Sequence, residues 1–396
     1  MPDLFKERIR FPMSLSELGR RHTAVKAAME KEGIDMLLMS NDNQFLGGYI
    51  RYFTDIPAGN AYPMTVMFEK TGEITSICMG IPSQPGPPPW AARVITNRIS
   101  IPYFRSLNYT HSYDADAIAK LVKDKNIKKL GIVGMGMVSH VIISTIKEKT
   151  SAEVVNATPL VDKIKAVKSA EELEFVKMSV KMHEESIGHI KSILKPGMYE
   201  YELRAELARW LKVYGSEEQL LILQSQSEKV PHIIPQFYQN RQIQKGDYVT
   251  VLNESSGPGG FYAEIMRTFV LGEPSKTAVE AYDTAVELQK WVAEMLRPGV
   301  AANSIWPKYN ARLREMGMPI EERLFMHGQG YDLVEMPGFG EGDDTILEEG
   351  MFIALHPNVY LPGNNEHGVC CEQFLVTPQG GLNMYSLNKQ EIVIVE

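Results

Sequence analysis

Residues 246–269 read GDYVTVLNESSGPGGFYAEIMRTF. Two runs rich in β-branched and aromatic residues, Tyr248–Leu252 and Tyr262–Leu271, fit strands. Between them, Gly257-Pro258-Gly259-Gly260 supplies turn-forming residues and reads as a turn rather than a phosphate-binding loop. Met351–Leu355 and Glu372–Thr377 are two further strand-like runs. Helical patterns at about 276–297 and 303–316 lie among them, and Glu171–Leu194 and Glu200–Val213 precede them. Lys195-Pro196-Gly197 is a strong stop for the first of these helices. Helices covering one face of a curved, mainly antiparallel sheet is the α+β architecture expected for residues 161–396.

Upstream of this stretch the pattern differs. Leu15, Leu18, Val25 and Met29 recur at helical spacing within residues 14–30. Asp35–Ser40, Met64–Phe68 and Lys129–Val133 read as strands, and Tyr113–Lys123 and Val138–Lys147 as helices. Strands alternating with helices predict an α/β domain over residues 1–160. Ile81–Trp90 (IPSQPGPPPW) has proline at five of ten positions and is expected to be a stiff surface loop.

The bulk chemistry narrows the function. The 396 residues are 44% hydrophobic and 23% charged, with a net charge of −8. An acidic chain lacks the basic face that phosphate neutralisation needs, so no nucleic-acid partner is expected. No apolar run spans a bilayer, and the charged start MPDLFKERIRFPMS lacks a signal-peptide core. Three cysteines, Cys78, Cys370 and Cys371, cannot make a disulfide framework, which fits a reducing cytoplasm.

Chemistry-bearing side chains gather in the second domain. They are His232 in Pro231–Pro235, then Asn253, Glu254 and Glu264 in the opening stretch. His327 follows in MHGQGYDLVEMP, His356 in GMFIALHPNVY and Cys371-Glu372 in GVCCEQFLVT. Each lies on or beside a strand, where alternate side chains share a face and can converge. The ordinary alternative is a set of unrelated polar residues at strand ends.

The order of landmarks resembles the creatinase, prolidase and aminopeptidase P family with its pita-bread fold. Val161–Lys177 (VDKIKAVKSAEELEFVK) looks like the entry to that catalytic domain. Lys195-Pro196-Gly197 with Glu200 and Glu202, then Gly246-Asp247, Arg267-Thr268-Phe269, Glu349-Gly350-Met351 and Val376-Thr377 continue in sequence. The family's metalloenzymes hold two divalent ions with Asp, Asp, His, Glu and Glu. Carried over, the first position falls on Asn253, with Glu254 the alternative, because family spacing from Asp247 and from Glu264 disagrees by one residue. The second falls on Glu264, the third on His327, the fourth on His356 and the fifth on Cys371, with Glu372 beside it.

That set argues against a two-metal centre, since close cations need bridging carboxylates. Glu264, His327, His356 and Cys371 instead suit no ion or one, zinc or iron. The peptidases also carry a second His seven residues after the ligand His, and Val334 stands there. Creatinase works without metal through a His, and His232 lies about where that His does. The resemblance also implies a homodimer with substrate contacts near Tyr52-Phe53 and Asp55, although creatinase has Arg where Asp55 stands.

The expectation is a hydrolase cleaving a C–N bond of a small polar or dipeptide-like compound, different from a standard two-metal aminopeptidase. His232 or His327 would be the acid/base and Glu264 its partner. Phe53, Asp55, Asn253 and Glu254 would contact substrate. A mononuclear-metal lyase acting on a small zwitterion and a non-catalytic peptide-binding protein remain the alternatives.

Overall fold

The computed structural model describes residues 8–60, 62–81, 83, 86–102, 113–233 and 240–396. They form two compact units, Met1–Lys165 and Ala166–Glu396. The division falls inside a helix absent from the sequence expectation. Among the described residues no helix is long and apolar enough to cross a membrane.

The first unit begins with α1 (Leu15–Glu32), β1 (Met36–Asn41) and α2 (Gly48–Thr54). β2 (Met64–Glu69), β3 (Ile74–Met79), α3 (Pro89–Ala92) and β4 (Asn97–Ile101) follow. Then come α4 (Tyr113–Asp124), β5 (Lys129–Ile132), α5 (His140–Lys149), β6 (Glu153–Asn156) and α6 (Thr158–Ala166). Ser14 Oγ accepts the Glu17 amide at 3.1 Å to start α1, and Gly33 ends it at φ 65°, a conformation that suits glycine. Leu18, Val25 and Met29 are buried, whereas Leu15, in the first turn, is exposed. The sheet runs β4-β3-β2-β1-β5-β6. β1, β5 and β6 pair in parallel, and β1, β2 and β3 antiparallel. Met36, Leu38, Met67, Ile118, Leu130 and Ile142 sit in its core beneath α4 and α5. The proline-rich expectation is corrected at its end: Pro89 opens α3, where its missing N–H costs no helical bond. Pro82, Gln84 and Pro85 lie outside the described residues.

The second unit opens with α7 (Ala170–Ile193), α8 (Glu200–Tyr214), β7 (Gln219–Gln226), β8 (Tyr248–Ser256) and β9 (Tyr262–Val270). α9 (Lys276–Ala293), α10 (Ile305–Glu315), β10 (Met326–Gly328) and β11 (Phe352–Leu355) come next. β12 (Asn358–Tyr360), β13 (His367–Val369), β14 (Glu372–Thr377), β15 (Gly380–Asn383) and β16 (Val393–Ile394) complete it. A capping box fixes the start of α7. Ser169 Oγ accepts the Glu172 amide at 3.1 Å and Glu172 Oε2 accepts the Ser169 amide at 2.7 Å. Four strands run β16-β9-β8-β7 and four run β10-β11-β14-β15. The Met266–Cys371 bridge joins the two groups, with the Met266 amide donating to Cys371 O at 3.2 Å. The resulting sheet is antiparallel except for β16, as the α+β reading expects. α9 and α10 bury Ala285, Leu288, Val292, Tyr309 and Leu313 against Ile353, Leu355 and Phe374.

Candidate active site

The β8–β9 hairpin decides which side chains reach the face shared by Glu264. Its register places Glu254 opposite Glu264 and Asn253 opposite Ile265. Side chains alternate across a strand, so Glu254 and Glu264 share one face and Asn253 takes the other. The turn pins this register against α7. Gly259 has φ 79°, and a Cβ there would meet the Phe175 ring at 2.3 Å. No other residue type fits that approach.

The donor expected at Asn253 is therefore corrected. Asn253 Nδ2 donates to Ser186 Oγ of α7 at 3.2 Å, and its Oδ1 accepts from Ser255 Oγ at 2.7 Å. It braces the hairpin and cannot touch substrate on the Glu264 face. Glu254, the alternative at that position, faces Glu264 instead.

β10 carries His327 opposite Ala354 of β11, and His356 follows the end of β11 directly. The two imidazole rings are 5.3 Å apart, and His327 Nε2 lies 3.8 Å from Glu264 Oε2. One ligand atom from each of Glu264, His327 and His356 lies within 4.8 Å of the other two. His327 Nδ1 is 2.9 Å from Gly328 O, so it carries the proton and leaves the Nε2 lone pair toward Glu264. Burial lowers the His327 pKa, with the Gly328 carbonyl opposing. Burial, then His327 and then Arg323, push His356 well below its usual value. Both rings are therefore neutral at pH 7. Burial raises both carboxyls of the Glu254–Glu264 pair, Glu264 to about 7, and the Glu264 charge raises Glu254 further.

A metal or similar cation fits this arrangement on one direct observation. Glu264 Oε2 is sealed from solvent and has no hydrogen-bond partner among the described residues. A buried carboxylate oxygen in that state is costly unless something positive meets it. Two neutral imidazoles and one carboxylate are the donor types of a mononuclear zinc or iron site.

Cys371 is not among the mutually close donors. Its sulfur lies 4.0 Å from the Glu264 carbonyl, packed with Leu252, Met266 and Val369. Burial, then the Glu264 charge, raises its thiol pKa well above the ordinary value, which opposes the thiolate a soft ligand needs. Glu372 is also committed elsewhere. It is ion-paired to buried Arg267 and accepts from Asn383 Nδ2.

The described contacts of His232 are with His367 and Tyr360 and not with Glu264, His327 or His356. The exposed His232 ring stacks on His367 at 4.5 Å, and its Nδ1 lies 3.2 Å from Tyr360 Oη. His367 in turn meets Asn358 Oδ1. Burial, then His232, pushes His367 down to about 3.

The two candidates in the first unit are also corrected. Phe53 is fully buried and packs on Phe68 at 5.1 Å, so it has no surface to offer a substrate. Asp55 ends α2 at φ 57°, pairs with Arg93 at 2.7 Å and accepts the Met13 amide at 3.0 Å. Its carboxylate stabilises the local chain instead.

Sequence reasoning missed three buried polar residues around Glu254. Gln329 Nε2 donates to Glu254 Oε1 at 3.0 Å, Gln373 Nε2 donates to Gln329 Oε1 at 2.7 Å, and Tyr385 Oη meets Gln373 Oε1. Gln329 lies two residues after His327, the spacing that shares a strand face. That was a usable signal; nothing comparable marks Gln373, Tyr385 or His367.

Residues 174–378 match the model of metallopeptidase family M24. The Xaa-Pro dipeptidase of Pyrococcus furiosus is 24% identical over 274 residues, covering 68% of this chain and 76% of that one. The uncharacterized peptidase YqhT of Bacillus subtilis is 25% identical over 281 residues, covering 70% and 78%. Among solved structures, the Xaa-Pro dipeptidase from Bacillus anthracis aligns with TM-score 0.74 at 23% identity, covering 95% of this chain and 99% of that one. The X-Pro aminopeptidase from Thermotoga maritima aligns at 0.77 and 19% identity, covering 94% and 99%.

Proposed function

This chain belongs to metallopeptidase family M24, with the pita-bread fold of its relatives, and from that premise we propose a hydrolase that cleaves a C–N bond in a dipeptide-like or similarly small polar substrate. In this reading Glu264, His327 and His356 hold one divalent ion, zinc fitting the donors best. The observation that carries it is the sealed, unpartnered Glu264 Oε2 facing His327 Nε2. An ion bound there supplies Lewis-acid polarisation of the scissile carbonyl.

The chain's own groups do the rest. The Gly328 carbonyl fixes the His327 tautomer, and burial keeps both imidazoles unprotonated and able to bind. Glu264 supplies the single negative charge of the ligand set. Glu254 faces it with Oε1 held by Gln329, while Oε2 makes no hydrogen bond to the described residues. On the face shared with Glu264, Oε2 is placed to take a proton from the attacking water and return it to the leaving nitrogen. Glu254 therefore replaces His327 as the proton carrier, because His327 is better used as a ligand. A single ion is supported by His356 at a position where the family resemblance implies a carboxylate and by the commitment of Glu372 to Arg267. The expected assembly is a homodimer, which light scattering tests directly.

The decisive experiment is elemental analysis of purified protein, followed by assay against a panel of dipeptides that includes Xaa-Pro compounds. One equivalent of metal, with turnover lost on chelation and regained on zinc addition, is expected. Two tightly held equivalents that are both needed for activity would overturn the mononuclear reading.

A further inference from the structure

Gln329, directly after β10, links side chains of β8 and β14, strands that are not neighbours in either sheet. Its Nε2 hydrogens are both used, one on Glu254 Oε1 at 3.0 Å and one on Leu333 O at 3.1 Å. Its Oε1 is used as well, by Gln373 Nε2 at 2.7 Å. This pattern fixes the carboxamide orientation, because a flipped amide would set oxygen against two acceptors. Gln373 is fixed through that same amide–amide bond, which turns its Oε1 toward Tyr385 Oη, a hydroxyl that also lies 2.8 Å from the Glu264 carbonyl oxygen. Gln329 and Gln373 are both fully buried.

A buried amide chain is costly unless every member is satisfied, and a satisfied chain is rigid. This one runs from the segment after β15 through β14 and the end of β10 to β8. It ends on one oxygen of one carboxylate and leaves the other oxygen of that carboxylate without a partner among the described residues.

We infer that Gln329, locked by Gln373 and Tyr385, is a positioning residue that aims Glu254 for proton transfer. The inference rests on the reading of Glu254 as the proton carrier. Gln329 touches no reacting atom. It removes the freedom of the Glu254 side chain to rotate and holds Oε2 toward the Glu264 face. Displacing a reacting group by about 1 Å costs on the order of a hundredfold in rate.

Two near-isosteric variants test this, Gln329→Met and Gln373→Met, with crystal structures of both and of the wild type. In Gln329→Met, the Glu254 carboxylate should leave its wild-type place while Glu264, His327 and His356 keep theirs. Glu254 unmoved would overturn the inference. If Gln329→Met does not fold, Gln373→Met decides: the Gln329 amide should rotate, and an unmoved amide would overturn the relay. In solution, Gln329→Met should bind zinc as the wild type does and lose about a hundredfold in kcat with KM little changed. Gln373→Met should fall between them. Unchanged kcat in Gln329→Met would also refute the inference. If the wild type turns over no dipeptide, the hydrolase reading fails by itself, and the crystallographic positions alone decide whether Gln329 aims Glu254.

Discussion

Replacing Glu372 with methionine separates its two possible roles, a strut or a metal ligand. The Glu372 and Arg267 side chains are both almost wholly buried. Arg267 also donates to Met266 O at 2.9 Å, so swinging out to water would cost it that bond as well. Glu372→Met keeps the volume but leaves a guanidinium in the core without a counter-charge, and leaves Asn383 Nδ2 without its acceptor. Breaking one side of a buried pair costs about 3–5 kcal/mol. At roughly 2–4 °C per kcal/mol for a unit of this size, the transition of the second unit should fall by about 6–20 °C. Arg267→Met/Glu372→Met should recover most of the loss, because two matched apolar side chains carry no desolvated charge. The assay is thermal unfolding of the three variants, with zinc titration of the folded proteins in parallel. Zinc affinity should be retained in Glu372→Met. A fall of under about 2 °C would refute the buried strut, and lost zinc binding would make Glu372 a ligand.

Three further outcomes are expected. Folding raises the pKa of the Glu254–Glu264 pair, so the native state holds a proton that the unfolded chain has released; stability carried by this pair is present below about 4.5 and declines as the pH rises through the pair's range. In metal-free protein, the stability of Glu264→Gln relative to wild type should therefore grow with pH in urea titrations, and a flat difference would contradict the shift. Cys371→Ala should keep substantial turnover, and iodoacetamide should label Cys371 slowly in the folded protein, because burial keeps the thiol protonated; rapid labelling matched to inactivation would make it a nucleophile. Phe53→Ala should cost about 3–5 kcal/mol in unfolding of the first unit, as a large core deletion does, with KM unchanged; a KM effect without a stability loss would return Phe53 to substrate binding.

Elements with strong local signals were legible. The long helix ending before Lys195-Pro196-Gly197 forms as α7, and the strands on either side of the glycine turn form as β8 and β9. α2 was hidden, because Gly48–Thr54 is a short aromatic-rich run with no side-chain cap. β7 was hidden because Gln219–Gln226 mixes leucines and glutamines without strict alternation. In the site, Glu264, His327 and His356 could be named because each keeps its distance from a landmark. Asn253 and Glu254 could not be separated, since strand register is set by packing of the turn on Phe175 and is absent from local composition. Cys371 and Asp55 failed for a different reason. Each is a residue of reactive type whose partners, Glu264 and Arg93, are distant in sequence.

The β8–β9 turn makes chain length a chemical variable. Residue 254 faces Glu264 only because the hairpin holds its present count of residues; sliding β8 by one step would present Asn253 there and send Glu254 against α7. An insertion or deletion in the buried turn Gly257–Gly260 would act as a remote substitution, exchanging a carboxylate for an amide with every site residue intact in the sequence. Descent in this lineage could thus change the donor set, and with it the ion or the reaction, in one step that an inventory of catalytic residues would not register. The same handle is open to design, since turn length alone would choose whether a carboxylate or an amide faces Glu264.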